Sequence, residues 1–315
     1  MADKVFKTLK QQLSILRSRG MNIKPGSQGS RAIRILEREN YYSVINGYKE
    51  PFIASVNPET YLTTTDFDEL YALFSFDRNI RSIYLKYILK AEHQIKAVLA
   101  HEFSKKYGHD NYMKLSNFDT SSKDKLAAVN KLFKKVQDEI AQNMNKSKEI
   151  THYMNQYGYV PLWVLTNVLT IGELSYFYSS LHQQDMNAIS RFFGIQPFDL
   201  AKYLQTLTLA RNFCAHDERF YDTHYRGALP VSRIKNFQLL NIPTSNGNCA
   251  YGTRDVYSVA IILTLILGKA DAREFISSMD KEFKKLGKKL HTVSVNDIQR
   301  IMGFGTDWKN LTKLI

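Results

Sequence analysis

The sequence predicts an all-α protein, on three observations. Apolar residues recur with a 3.6-residue period over several long stretches. Proline and glycine are sparse, at 7 and 15 of 315 residues, which disfavours a turn-rich β architecture. No stretch reads as a sustained strand series, and there is neither an internal repeat nor a low-complexity tract. The length suffices for one large or two small domains with a buried core. We divide the chain into an N-terminal helical segment (1–60), a helical core (61–225) and a C-terminal helical extension (226–315); the three together can form one compact unit.

Residues 1–19 are helix-like, with Val5, Leu9, Leu13 and Leu16 at helical spacing, and Gly20 and the Pro25-Gly26-Ser27 cluster end that pattern. A short helix follows from Arg31, with Ala32, Ile33 and Leu36 inward. Its Arg31, Arg34 and Arg38 share one stripe, which reads as a solvated face or as a phosphate-contacting ridge. Residues 40–52 are rich in aromatics and read as irregular. Tyr41 and Tyr42 could stack on bases or pack the loop onto a core. The clearest helix runs from Phe76 to about Phe103. Ile80, Ile83, Tyr84, Tyr87, Ile88, Ala91, Ile95, Val98 and Leu99 face inward there. A helix over roughly Lys123 to Gln142 turns Leu126, Val129, Leu132, Phe133, Val136 and Ile140 inward.

Pro161 opens a further apolar segment, and Gly172 starts a helix with Leu174, Phe177 and Tyr178 on one side. Pro197 suits the first turn of another helix, which runs straight into Arg211-Asn212-Phe213-Cys214-Ala215-His216. Residues 226–253 are irregular. An apolar helix near 254–267 and a basic amphipathic helix near 271–286 follow. Phe275, Met279, Phe283 and Leu286 are expected to dock on the protein, leaving Lys281, Lys284, Lys285, Lys288 and Lys289 outside.

The charge balance is 43 basic against 30 acidic residues, a net of +13, which points to an anionic partner. The most apolar stretch, Val256 to Leu267, is too short for a span of about 20 residues, and the first ten residues carry three lysines without an apolar h-region. A cytoplasmic location with no membrane partner is the expectation. Two cysteines, Cys214 and Cys249, make neither a disulfide framework nor a four-cysteine zinc site. The histidines outside the 211–216 stretch lack metal-ligand spacing. No phosphate-binding glycine loop, dinucleotide fingerprint or nucleophile elbow occurs, so no cofactor is implied.

Metal-free RNA cleavage needs a base for the 2′-OH, a cation for the phosphorane and an acid for the leaving 5′ oxygen. Histidine suits the first and last roles and arginine the second. Arg211 and His216 supply both at a five-residue interval. On a straight helix they stand about 140° apart, whereas Asn212 and His216, at i and i+4, share a face. Arg211 joins them through its long side chain or a local distortion. Spacing alone does not select this pair, since Arg219 and His224 repeat it.

The run from Arg211-Asn212 through Ala215-His216 to Arg219 resembles the HEPN ribonuclease motif in its Abi-like form. Three other segments agree in the family's order. Asn40-Tyr41-Tyr42 through Ile45-Asn46-Gly47-Tyr48 to Pro51-Phe52 is similar to its N-terminal signature. Phe76-Asp77-Arg78-Asn79-Ile80-Arg81 with Glu92 is similar to its second. Pro161-Leu162-Trp163 through Gly172-Glu173-Leu174-Ser175 is similar to its third. The resemblance covers about residues 30–225.

It implies an abortive-infection (phage defence) protein of the AbiD/AbiF type, a toxin with a HEPN-like helical bundle that cuts RNA without metal across a homodimer. Carried over, His216 is the general acid/base, Arg211 the phosphate-binding cation and Asn212 the orienting residue. Arg31, Arg34, Arg38, Tyr41, Tyr42, Arg78, Arg81 and Arg219 are the expected RNA contacts, with an i,i+4 pair of Arg81 with Asp77 as the structural alternative. Glu218 stands where some HEPN toxins carry a modifiable tyrosine, and Ser43 where the signature often has a basic residue. A different class of function is a non-catalytic RNA-binding protein holding a small structured non-coding RNA, and a third is a protein-interaction scaffold.

Overall fold

The computed structural model describes residues 5–315, so Met1 to Lys4 of the N-terminal reading lie outside the described residues. The fold is all-α, with two short two-stranded antiparallel ladders that periodicity did not reveal, Ile53–Val56 with Glu59–Tyr61 and Thr244–Ser245 with Asn248–Cys249.

Its axis is a 41-residue helix, Phe67–Tyr107, longer at both ends than its apolar period indicates. Counting helices in chain order, α1 is Leu9–Ser18, α2 is Ser27–Glu39 and this axis is α3. Asp66 caps α3 by accepting from the Glu69 N–H at 2.8 Å. Asp68 and Glu69 in the first turn and Lys105 and Lys106 in the last complement the helix dipole. Its buried residues are spread around most of the circumference because helices pack on several sides of it.

After α3 come α4 (Lys123–Asn143) and α5 (Lys148–Tyr157), which pack on the outer side of the next helices, and then α6 (Leu162–Val168), α7 (Ile171–Ser179), α8 (Gln183–Phe192) and α9 (Pro197–Ala215), which pack on α3 itself. Pro197 is at the first turn of α9 as expected. Leu200, Tyr203, Leu204, Leu207, Ala210 and Cys214 form its buried stripe. The Gly172-Glu173 step serves packing. Thr170 and Glu173 form a reciprocal capping box. A Cβ on Gly172 would lie 3.2 Å from the Thr208 methyl, so α7 lies close against α9.

Residues 226–315 complete the core. The apolar helix is α10 (Val256–Ile266), buried along nearly its whole length, and the basic one is α11 (Lys269–Gly287), with Phe275, Met279, Phe283 and Leu286 buried as expected. A short α12 (Val295–Ile301) follows. The buried Glu69 carboxylate accepts the N–H groups of His291, Thr292 and Val293 at 2.9, 2.7 and 3.3 Å, which ties this region to the start of α3. One contiguous apolar core runs from Leu13 to Leu311. One inward assignment fails, since Leu126, in the first turn of α4, is 39% exposed; Val5, read at helical spacing with Leu9, precedes the start of α1 and is exposed. No helix among the described residues is long and apolar enough to cross a membrane.

Candidate functional site

The Arg211–His216 run ends α9. His216 is the C-cap residue, and Asp217 follows with a left-handed backbone at φ 56°. The Glu218 N–H returns to the Phe213 carbonyl at 3.2 Å, which closes a Schellman turn. Asp is among the few non-glycine types found in that conformation. Here its side chain is also used, because Asp217 forms an ion pair with Arg81 of α3.

Arg81 is 3% exposed and fully engaged. It donates to Asp77 at 2.6 Å, to the Glu218 carbonyl at 3.0 Å and to Asp217. Asp77 is completely buried and accepts from four groups. These are Arg81, the Tyr48 hydroxyl at 2.6 Å, and the N–H groups of Phe220 and Tyr221 at 3.2 and 2.8 Å. Burial pushes the Asp77 carboxyl up, opposed by Arg81, Tyr48 and the two N–H groups. Burial, with Asp77 beside it, also raises the Tyr48 phenol, so it stays a hydrogen-bond donor. Tyr48 stacks on Tyr221, with ring centroids 5.5 Å apart. Arg219 donates to the Gly47 carbonyl at 2.8 Å. Three segments far apart in the chain (40–48, 76–81 and 211–221) are thereby clamped together. The i,i+4 pairing of Asp77 with Arg81 is present, and the buried Arg81 spends its hydrogen bonds on joining these segments.

Beside this clamp opens a cleft of about 560 Å³. Four arginines line it, Arg38, Arg78, Arg81 and Arg219, against two carboxylates, Glu39 and Asp217. Tyr42 lies on its rim, 73% exposed. Arg78 makes a bidentate pair with Glu39 at 3.1 and 2.7 Å, and its guanidinium lies over the Phe74 ring at 4.7 Å. The hydrogen bond from Arg78 holds the Glu39 carboxyl below the usual range. Among the described residues Arg38 has no ion pair or hydrogen bond and is exposed toward the opening.

The structure divides the expected RNA contacts. Arg38, Tyr42, Arg78 and Arg219 reach the cleft, and Arg81 forms its wall. Tyr41 does not reach it. The π-helical turn Tyr42–Asn46 sends Tyr42 outward and leaves Tyr41 half-buried against the core. Arg31 is diverted to Asp68 at 3.2 Å, and Arg34 is exposed outside the cleft, so the arginine stripe of α2 splits. The second Arg/His pair is occupied locally: Arg219 binds Asp222 at 2.9 Å, and His224 Nδ1 meets the Asp222 carbonyl at 3.0 Å. Cys214 is a packing residue, and burial pushes its thiol well up. Among the described residues no three His, Cys, Asp or Glu are grouped to hold a metal.

Arg211 is half-buried, and Asn212 and His216 are exposed. None of the three lines the cleft, but His216 adjoins the cleft-lining Asp217. Among the described residues their side chains have no hydrogen-bond or ion-pair partner. Glu39 and Asp217 were missed as site residues. Glu39 carries no local signal because its partner is 39 positions away. Asp217 is signalled only by its place after the helix end.

Fold and site together define an all-helical protein with a cationic cleft beside a helix end bearing arginine and histidine. The model of the Abi-like protein family matches residues 34–222, and the chain belongs to that family. Membership links it to abortive infection, a defence against phage. No curated protein and no solved structure matches the chain.

Proposed function

We propose that this protein is a metal-independent endoribonuclease of the HEPN type. In this reading it is a toxin acting in the cytoplasm during abortive infection, with its site completed across a homodimer. The observation that carries the reading is the placement of the Arg211–His216 helix end. It is clamped through Asp217 to the wall of the arginine cleft, while the side chains of Arg211, Asn212 and His216 have no partner among the described residues.

The chemistry follows from what each group can do. RNA phosphates entering the cleft meet Arg38 and Arg78, and Tyr42 offers a face for a base. The scissile phosphate lies at the helix end, where Arg211 neutralises the extra charge of the phosphorane. His216 takes the 2′-OH proton, and a second imidazole delivers one to the leaving 5′ oxygen. Each chain supplies one such histidine, so the two roles require two copies. Asn212, one turn before His216, orients the phosphate or the ring.

The test is RNA cleavage by purified protein in EDTA. His216→Ala and Arg211→Ala are each expected to lower the rate about 10²-fold or more while RNA binding persists. Cleavage that survives in both variants overturns the reading.

A second reading has its own support. The arginine cleft is complete within one chain and does not include His216. Such a cleft can hold a small structured non-coding RNA without cutting it. Tight RNA binding with no cleavage by the wild type would favour this role.

A further inference from the structure

The far half of α3 forms one wall of a second recess, a groove of about 570 Å³ facing α6. From Arg81 to His101 the helix rises about 30 Å, so the groove is well separated from the arginine cleft. Its depth comes from small residues. Ala97 and Ala100 stand at positions where longer side chains would fill the gap. The opposite wall carries Trp163, Thr166 and Asn167.

Its chemistry is one-sided. His93, Lys96, His101 and Lys105 line it, and no carboxylate does. Lys96 pairs with Glu92 at 2.7 Å and His101 with Glu102 at 2.9 Å, both outside the lining. Lys105 has no ion pair among the described residues. The Trp163 indole is 50% exposed, an uncommon position for the largest apolar ring. It is braced by His109, with ring centroids 5.8 Å apart, and His109 is in turn hydrogen-bonded to Tyr159 at 2.9 Å. The Ser104 hydroxyl, also in the lining, is buried and has no hydrogen-bond partner among the described residues. A pre-oriented aromatic face, two lysines without a lining carboxylate, imidazoles, an amide and a buried hydroxyl meet in a volume suited to a small molecule.

We propose that this groove is a second binding site for a nucleobase carrying a phosphate, with the base stacked on Trp163 and the phosphate held by Lys105 and the neighbouring Lys96. The unit can come from a free mononucleotide or from a single-stranded RNA nucleotide. The proposal does not depend on RNA cleavage.

Calorimetry with the full chain tests it, using 5′-AMP, adenosine, inorganic phosphate and an adenine pentaribonucleotide as probes. AMP is expected to bind saturably and more tightly than adenosine or phosphate alone. Trp163→Ala and Lys105→Ala are each expected to weaken AMP about tenfold, as loss of one stacking or charged contact does. Ala97→Leu is expected to block the groove. These substitutions are at exposed or half-exposed positions, and circular dichroism checks that each variant folds. Pentanucleotide binding that weakens in Trp163→Ala assigns the unit to RNA; AMP binding that needs Trp163 while pentanucleotide binding ignores it assigns the unit to a free nucleotide. The proposal is overturned if neither probe binds below about 10 mM, or if binding is indifferent to both Trp163→Ala and Lys105→Ala.

Discussion

The two ends of α3 carry recesses of nearly equal volume, built on opposite principles. Near its start, the cleft is made by side chains that are present and held. Arg78 and Arg81 are fixed by Glu39, Asp77 and Asp217, and Arg219 by a backbone carbonyl and Asp222. Toward its end, the groove is made by side chains that are absent, since Ala97 and Ala100 leave space opposite Trp163. A cation held by an internal carboxylate keeps its place but loses part of its attraction for an external anion. A cation without such a partner keeps the attraction and loses the fixed geometry. Among the described residues, the first end thus combines positioned arginines with one unpartnered arginine, Arg38, and the second combines a fixed aromatic ring with the unpartnered Lys105.

The largest expected effect tests whether the first end is a clamp. Asp77→Ala removes a buried carboxylate that satisfies Arg81, Tyr48 and two backbone N–H groups. It leaves a buried guanidinium short of its partner and should cost about 3–5 kcal/mol in urea unfolding. At the other end, Lys105→Ala should stay within about 0.5 kcal/mol, since Lys105 is exposed and unpaired among the described residues. Equal losses at both ends would erase the distinction.

A smaller effect separates the two recesses by their use of charge. Replacing Arg38, Arg78 and Arg219 together by Ala removes three candidate phosphate contacts. The slope of log affinity for single-stranded RNA against log salt should flatten by about 2, at roughly 0.7 per contact. An unchanged slope would mean that RNA phosphates do not enter this cleft.

What was legible in the sequence follows the same division. The Asp77–Arg81 pair could be read because its members share a helix four residues apart. The end of α9 could be read because Pro197, the apolar stripe and the motif all lie in one continuous helix. The bidentate Glu39–Arg78 pair could not, because it joins two helices across 39 positions. Tyr41 and Tyr42 were not separable, since a π-helical turn departs from the 3.6-residue period on which facing is judged. The seven-residue α12 spans too few turns for periodicity to mark it, whereas α5 was legible in Ile150, Tyr153, Met154 and Tyr157 at helical spacing and was missed. The groove was invisible for a simpler reason: alanines inside a long helix carry no chemical signal, and the depth they create exists only once α6 stands opposite.

The smallest expected effect concerns how far Glu39 restrains the cleft. Its carboxyl is lowered chiefly by the hydrogen bond from Arg78. A lowered acid stabilises the fold fully above the ordinary glutamate range, and that contribution is lost as pH falls through the lowered value. Both partners are partly exposed, so the pair is worth at most about 1 kcal/mol. Comparing wild type with Glu39→Gln by unfolding across the acid range should give a stability difference present at neutral pH that vanishes in acid. At neutral pH the same substitution frees Arg78 for RNA, and affinity should rise a few-fold. A stability gap that persists undiminished in acid would mean that glutamate shape, not its charge, holds Arg78. Affinity that falls in Glu39→Gln would mean that Arg78 meets phosphate only while Glu39 orients it, and restraint at this end would then be a requirement for binding rather than its cost.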